Sequence, residues 1–158
     1  MLKNTAQALW DRRSFFGSLI LPVAAMLPIS ARAASHTASA IEQPKSATAK
    51  SFIERAFLMR RLGVEKGDRP YGAVVVKNGK IIGQSWSRVV LDRDGTGHAE
   101  MAALRDASNR AGPGALAGAT LYSSSHPCSM CEAAAAWVGI EKMIYGPNAQ
   151  DGGRPKSC

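Results

Sequence analysis

Cysteine is scarce in this chain of 158 residues, which has three in all. Three cysteines are too few for the disulfide framework of a small secreted domain, so a disulfide-rich scaffold is excluded. Cys128 and Cys131 are three positions apart, and Cys158 is the last residue. The close pair therefore indicates a metal site or a redox pair. For Cys158 we expect an exposed thiol without function, with an intermolecular disulfide as the alternative.

Clustered positive charge is also missing. The formal net charge is +8, but residues 34–158 contain 16 Lys and Arg against 11 Asp and Glu, a net charge of +5. In that part of the chain Arg60-Arg61 is the sole adjacent basic pair, and no basic stripe alternates with aromatic residues. Proteins that bind nucleic acid usually carry such a patch, so we expect no nucleic-acid partner.

No apolar run reaches the roughly 20 residues that are needed to span a bilayer. The longest, Phe15 to Ile29, contains Pro22 and Pro28 and follows Arg12-Arg13-Ser14-Phe15-Phe16. The small residues of Ala31-Arg32-Ala33 then offer a cleavage site. Residues 1–33 are predicted to be a twin-arginine-type signal peptide, which gives a periplasmic or secreted protein with no membrane contact after cleavage. A Sec-type signal and an uncleaved anchor are the alternatives.

Hydrophobic periodicity predicts one α/β domain after this segment. Residues 34–49 are predicted to be a flexible linker, residues 50–147 the folded domain, and residues 148–158 a disordered tail. The expected order is helix, strand, strand, helix, strand, helix, strand, with a hairpin at Asn78-Gly79 and Pro127 opening the third helix. Right-handed crossovers would place the last two helices on one face and the first helix on the other. We therefore expect a three-layer α/β/α sandwich around a mixed sheet of about four to five strands. The predicted strands are Tyr71 to Lys77, Lys80 to Val90, Thr120 to Ser125 and Lys142 to Tyr145.

The chemistry is concentrated in His98-Ala99-Glu100 and Pro127-Cys128-Ser129-Met130-Cys131. His98, Cys128 and Cys131 would supply three ligands to Zn²⁺, whereas a structural zinc takes four and a catalytic zinc keeps one position for water. This arrangement matches the H-x-E…P-C-x-x-C signature of zinc nucleobase deaminases. We expect one Zn²⁺ per subunit, with zinc-bound hydroxide attacking the amino-bearing ring carbon and ammonia leaving. Glu100 would carry the proton without binding the metal.

Two other functions remain open at this point. The Cys128 and Cys131 pair could be a thiol-disulfide site, with His98 and Glu100 incidental to it. The chain could also bind zinc without catalysing a reaction. The start of a helix would stabilise negative charge and lower the pKa values of both thiols, which favours metal binding.

From about Phe52 to Gly146 the chain resembles the cytidine and deoxycytidylate deaminase superfamily, and within it the guanine deaminase and tRNA-adenosine deaminase branch. The resemblance implies that the Ala99 backbone contacts the base and that the Cys128 N–H lies near the metal-bound oxygen. The segments that carry it are Pro70-Tyr71-Gly72-Ala73-Val74-Val75, His98 to Ala107, Thr120-Leu121-Tyr122, Pro127 to Cys131 and Trp137-Val138-Gly139-Ile140.

The chain departs from this family at three places. Ser87-Arg88 stands where relatives usually have Asn-Arg, so a hydroxyl replaces an amide that holds the substrate. His126 precedes Pro-Cys where relatives often have Glu or Ser. The chain also ends soon after its fourth strand, so that either a partner subunit would supply the wall of the pocket or the pocket would stay open; of the two, we expect a homodimer. Ser87, His126 and Ala99 are the expected contacts to a small amino-heterocycle, a free nucleobase or nucleoside, with guanine as the first expectation.

Overall fold

The computed structural model describes residues 40–157. They form three helices, one short 3₁₀ helix and five strands. Predictions for the signal peptide, for the linker up to residue 39 and for Cys158 lie outside the described residues. In chain order the elements are α1 (Ala49–Glu65), β1 (Gly72–Lys77), β2 (Lys80–Trp86), α2 (Ala99–Ala111), the 3₁₀ helix (Pro113–Leu116), β3 (Thr120–Ser123), α3 (Ser129–Trp137), β4 (Lys142–Tyr145) and β5 (Gln150–Gly153).

The five strands form one mixed sheet in the order β2-β1-β3-β4-β5. Strand β1 is antiparallel to both of its neighbours, and β3 is parallel to β4. Asn78 and Gly79 both have positive φ angles, 50° and 72°, which the twist of a two-residue hairpin requires. The predicted hairpin at this position is therefore confirmed.

Two apolar cores separate the sheet from the helices, one on each face. Val75 and Leu121 point into the core shared with α2 and α3, whereas Val74 and Tyr122 point into the core that also holds Phe52 of α1. Successive residues of a strand face opposite sides of the sheet, so the apolar run of β1 is buried on both faces. The predicted three-layer sandwich, with α1 opposite α2 and α3, is confirmed.

Helix α2 approaches the sheet closely because β2 has a glycine beneath it. A Cβ atom on Gly83 would lie 2.5 Å from the Ala107 nitrogen and 2.7 Å from the Ala103 oxygen. No side chain fits in that space. Gly83 thereby fixes the height of α2 above the sheet, and with it the height of the residues at the start of α2.

Three predicted boundaries are wrong. Strand β2 ends at Trp86 and does not continue to Val90, because the chain turns away and the Val90 N–H donates to Asp68. Strand β3 ends at Ser123, two residues before the predicted Ser125. Helix α3 begins at Ser129, with Cys128 in extended conformation as its N-cap, so Pro127 precedes the helix and does not open it.

Both ends of the described segment are more ordered than predicted. The tail contains β5, which pairs with β4 as an edge strand, so a tail that is disordered throughout is a wrong prediction. Residues 40–49 of the predicted flexible linker are also attached to the domain. The Gln43 side chain donates to the Ile81 oxygen at 2.9 Å and accepts from the Ile81 N–H at 2.8 Å. Among the described residues, no helix combines the length and the hydropathy needed to cross a membrane.

Candidate active site

The predicted metal ligands lie at the starts of two helices on the same face of the sheet. His98 is the N-cap of α2, Cys128 is the N-cap of α3, and Cys131 lies in the first turn of α3. Strand β1 separates β2 from β3 and is antiparallel to both, so β2 and β3 run in the same direction. The helices that follow β2 and β3 therefore begin at the same edge of the sheet, and residues about 30 positions apart meet there.

The three ligand atoms have the spacing of a tetrahedral site. His98 Nδ1 lies 3.5 Å from Cys128 Sγ and 3.6 Å from Cys131 Sγ, and the two sulfur atoms are 3.6 Å apart. Bonds of about 2.3 Å from Zn²⁺ to sulfur and about 2.0 Å to nitrogen give tetrahedron edges of roughly 3.5–3.8 Å. The residues present fit zinc, and they leave one corner of the tetrahedron to a non-protein ligand.

Glu100 lies beside this triangle in the first turn of α2 and is 4% exposed. Its Oε1 accepts a hydrogen bond from the Ser123 hydroxyl at 2.6 Å, and its Oε2 lies 3.6 Å from Cys131 Sγ. One oxygen is thereby anchored on β3, which leaves the other directed to the ligand cluster. A carboxylate held in this way can take up and deliver a proton next to a metal.

The electrostatics of Cys131 differ from the prediction. Burial raises the pKa of its thiol well above the usual range, and the nearby Glu100 carboxylate raises it further. The predicted lowering of the Cys131 pKa by the helix start is therefore wrong, because desolvation of this fully buried side chain dominates. Cys131 on its own is therefore a poor nucleophile, whereas Cys128 is exposed. Binding of a divalent cation favours the thiolate and so offsets the free-energy cost of ionising this buried thiol.

A small cavity of about 190 Å³ opens next to the cluster. Its volume is below the roughly 300–1,000 Å³ of pockets for drug-sized ligands, so it suits one small ring system. Its lining includes the buried Glu100 and two of the three candidate ligands, His98 and Cys128. The remaining lining residues are Arg69, Tyr71, Ser87, Val89, Ser125 and His126.

Residues 46–147 match the family model described as the cytidine and deoxycytidylate deaminase zinc-binding region. This match covers more than half of the chain and includes every residue of the cluster. The chain belongs to this deaminase family. Zinc is the metal of the family, and His98, Cys128 and Cys131 are the residues that could hold it.

Individual relatives in the deaminase family differ in substrate. The chain is 38% identical over 106 residues to a tRNA-specific adenosine deaminase of Agrobacterium fabrum. The aligned region covers 67% of this chain and 70% of the relative. It is 36% identical over 103 residues to the guanine deaminase of Bacillus subtilis, covering 65% of this chain and 66% of that protein. The crystal structure of this guanine deaminase superposes with a TM-score of 0.60 over 63% of this chain and 64% of the solved chain.

These relatives confirm the predicted superfamily and the α/β fold. They also weaken one prediction. Because several relatives are named as deaminases of tRNA, the expectation that nucleic acid is not a partner is not borne out. The substrate class of this deaminase is a separate question from its family.

The predicted substrate contacts have different surroundings. Ser87 lines the cavity, but its side chain is fully buried and its hydroxyl hydrogen bonds to Asp68. His126 lines the cavity beside Tyr145, with ring centroids 4.5 Å apart, and its Nδ1 lies 2.7 Å from the Pro127 oxygen. Donation from Nδ1–H leaves Nε2 as an acceptor. Ala99 is buried in the core and is not among the lining residues, so a contact through its backbone stays a prediction.

Sequence reasoning missed three residues that shape the site. Ser123 holds Glu100, and the period of two along β3 indicated its side, since Leu121 on the same face packs under α2 and α3. Arg69 lines the cavity mouth, and Asp68 connects the turn after α1 to the loop after β2. No local pattern could have identified Arg69 or Asp68, because each acts on residues about twenty or more positions away.

Proposed function

We propose that this deaminase hydrolyses the exocyclic amino group of a free nucleobase or nucleoside, with guanine as the first substrate to test. The observation that carries the proposal is the juxtaposition of a three-ligand cluster with edges of 3.5–3.6 Å and a buried carboxylate 3.6 Å from one ligand. Three protein ligands and an adjacent acid–base group are what hydrolysis by a zinc enzyme requires.

The roles of the residues follow from their positions. When bound, Zn²⁺ lowers the pKa of a water molecule and so supplies a nucleophile near neutral pH. Glu100 would take one proton from the attacking water and deliver it to a ring nitrogen as the carbon–oxygen bond forms. It would then move the second proton, from the new hydroxyl group, to the amino group, so that the carbon–nitrogen bond breaks, ammonia leaves and a carbonyl group remains. Ser123 holds Oε1 of Glu100 throughout, so that proton transfer involves the oxygen nearer to Cys131.

Two observations support a small substrate. The cavity of about 190 Å³ has room for one ring system, and the two acceptor-bearing side chains Glu100 and His126 line it. Around the fold, several basic side chains are paired with acids, including Arg88 with Asp92 and Lys142 with Asp151. Such pairing reduces the positive field that a nucleic-acid surface needs.

Deamination of adenosine in tRNA is the second candidate. It is supported by the relatives at 38% identity that are named tRNA-specific adenosine deaminases. A cavity that takes a single ring also fits a base that is turned out of an RNA loop, because enzymes acting on a base within nucleic acid extrude that base into a pocket.

The test is ammonia release by the purified chain, beginning at residue 34 and loaded with zinc. The panel contains guanine, adenine, cytosine, their nucleosides, and an RNA hairpin with adenosine in its loop. We expect guanine to be deaminated and about one zinc per subunit. Glu100→Ala is expected to lower the rate by at least about a hundredfold while zinc remains bound. Glu54→Ala, which removes an exposed glutamate from α1, is the matched control.

Other results of these ammonia-release and zinc measurements would lead to different conclusions. Release of ammonia from the RNA hairpin alone would replace the small-molecule proposal with the tRNA candidate. Zinc without activity on any substrate would indicate a zinc-binding protein that does not catalyse the reaction. A Cys128–Cys131 disulfide without zinc would contradict the structure, in which both cysteines are free.

A further inference from the structure

Arg69 is the one lining residue with a permanent positive charge, and the proposed reaction does not use it. Glu100 carries the proton, and His98 and Cys128 are metal ligands. Arg69 lines the same cavity, and its side chain is exposed to solvent. An arginine has only hydrogen-bond donors, so whatever it recognises must present acceptors.

The backbone of Arg69 is held on both sides. Its N–H donates to Asp68 Oδ1 at 2.7 Å, and its carbonyl oxygen accepts the Tyr71 N–H at 2.8 Å. The turn is stiffened further by Pro70, whose ring fixes φ. The point from which the guanidinium projects is therefore fixed before any ligand arrives, which reduces the entropy lost on binding.

The guanidinium itself is not engaged by a protein carboxylate. Within residues 40–157 the ion pairs involve Arg55, Arg88, Arg105, Arg110 and Lys142, and Arg69 is in none of them. The neighbouring carboxylate of Asp68 is occupied by N–H groups of Arg69, Val90 and Leu91. Arg69 thus reaches the cavity with its donors available.

The depth of the lining residues orients a purine in the cavity. Glu100 is 4% exposed and marks the inner end, beside which the amino-bearing carbon must lie. The exposed lining residues mark the mouth, and Arg69 is the one among them that carries a guanidinium; the others are Tyr71, His126 and Cys128. In guanine the amino group is on C2, and the opposite edge of the bicyclic ring carries O6 and N7. These two acceptors match the paired donors of a guanidinium, which is the commonest specific contact of arginine with guanine. Adenine placed with C6 inward has only one ring acceptor, N3, towards the mouth.

From this geometry we infer that Arg69 is a specificity-determining residue that binds the O6 and N7 edge of guanine. The inference rests on the proposed function and deepens it by stating which base the site selects and why. It also supports guanine as the substrate by an argument that does not depend on any relative. The guanidinium N–H donors of Arg69 lie at the mouth of the cavity, opposite the end where the reaction takes place. A phosphate next to a nucleotide base is the competing ligand for the same guanidinium, and the test separates the two.

The experiment measures binding and requires no turnover. The zinc-loaded Glu100→Ala chain is dialysed against guanine and against 7-deazaguanine, which lacks the N7 acceptor. We expect 7-deazaguanine to bind about tenfold more weakly, since a hydrogen bond to a charged donor is lost. Adding Arg69→Ala to this chain is expected to weaken the binding of guanine. It should also bring the ratio of the two dissociation constants to about one, as in a double-mutant cycle.

Controls and contrary outcomes are built into the same measurement. Arg61→Ala, which removes an exposed arginine away from this cavity, is expected to keep the tenfold ratio. An unchanged ratio in Arg69→Ala overturns the inference, and so does equal binding of the two bases by the parent chain. If guanosine monophosphate binds more tightly than guanosine and this preference disappears in Arg69→Ala, the residue binds phosphate and the inference is wrong. If neither base binds the Glu100→Ala chain without the Arg69 change, the proposal that guanine is the substrate is wrong. This outcome separates failure of the proposed function from failure of the role of Arg69.

Discussion

Ser123 ends β3 with its side chain fully buried, and its hydroxyl donates to Glu100 at 2.6 Å. A buried carboxylate without such a partner would rotate towards other donors or leave an unsatisfied oxygen. The serine therefore acts as a positioning residue for the proton carrier. It belongs neither to the ligand cluster nor to the cavity lining, which explains why a motif search does not find it.

Replacing Ser123 by Ala should lower kcat by about ten- to hundredfold, since the lost hydrogen bond is made to a charged group. KM and zinc content should change little, because Ser123 is neither a lining residue nor a candidate ligand and touches the cavity only through Glu100 and the Ser125 backbone. The measurement is steady-state ammonia release with the substrate that the panel identifies, together with metal analysis.

Ser124→Ala is the matched control for this variant. Ser124 is also buried, and its hydroxyl accepts the Gly72 N–H at 3.1 Å, away from Glu100. Each variant loses a buried hydrogen bond, at a cost of about 1 kcal/mol or more in the free energy of unfolding, and Ser123→Ala also loses the longer bond from the Ser125 N–H at 3.4 Å. Only Ser123→Ala should lower kcat. Equal losses of kcat in the two variants would show that the effect comes from general destabilisation.

At the scale of elements, the sequence predicts well wherever a local pattern decides the structure. The first helix, the first strand and the Asn78-Gly79 hairpin are each determined by neighbouring residues, and each is confirmed. The H-x-E and C-x-x-C motifs likewise identified the ligand cluster, because the chemistry of zinc restricts both residue type and spacing.

Predictions failed where residues that are distant in the sequence determine the local structure. Strand β2 ends early because Asp68, over twenty residues before Val90 and Leu91, accepts their N–H groups. Strand β5 forms because β4 offers an unpaired edge, although its own residues, Gln150–Gly153, have little strand propensity. The pKa of Cys131 was misjudged because its burial depends on the packing of the whole layer.

The Asp68 carboxylate gives the loop after β2 a measurable dependence on pH. Burial alone would raise its pKa, but hydrogen bonds from the Leu91 N–H, the Ser87 hydroxyl and the Arg69 and Val90 N–H groups outweigh burial and lower it. A folded pKa below the unfolded value of about 3.9 means that the carboxylate stabilises the fold above about pH 4. This stabilisation is lost as the pH falls through the folded pKa.

Asp68→Asn should therefore lower the free energy of unfolding by about 1–3 kcal/mol at pH 7, because an amide group would face N–H donors. The difference from the parent chain should shrink below about pH 4, where the parent carboxyl becomes protonated. Urea unfolding at pH 7 and pH 3 measures both values. Glu54→Gln removes an exposed carboxylate from α1 and should change stability little at either pH. A constant difference at both pH values would contradict the role assigned to the charge.

At the scale of the molecule, the site exists only when the sheet and two helices are assembled. His98 comes from the start of α2 and the cysteines from the start of α3, and both helices are placed by packing on one face of the sheet. Because a zinc site of this kind is not preformed in an unfolded chain, metal binding is coupled to folding. The homodimer expected from the short C-terminal segment stays a prediction.

This coupling bears on how the protein would leave the cytoplasm. The family match begins at residue 46, so the N-terminal segment with Arg12-Arg13 lies outside it. We propose that the segment is a twin-arginine-type signal, a route suited to a chain that has already folded around its metal. Zinc would then be loaded before export, in contact with the cytoplasmic metal supply.

Replacing Arg12 and Arg13 together by Lys keeps the charge but removes the arginine pair, so we expect the protein to stay in the cytoplasm, uncleaved. The parent chain should be recovered outside the cytoplasm, beginning after Ala33 and carrying about one zinc. Cell fractionation, mass spectrometry and metal analysis measure the three properties. Arg32→Lys, a single change next to the cleavage site, is the control that should be exported normally. Normal export of the double variant would point to a Sec-type signal, which tolerates lysine, and an intact N-terminus in the membrane fraction would point to an anchor.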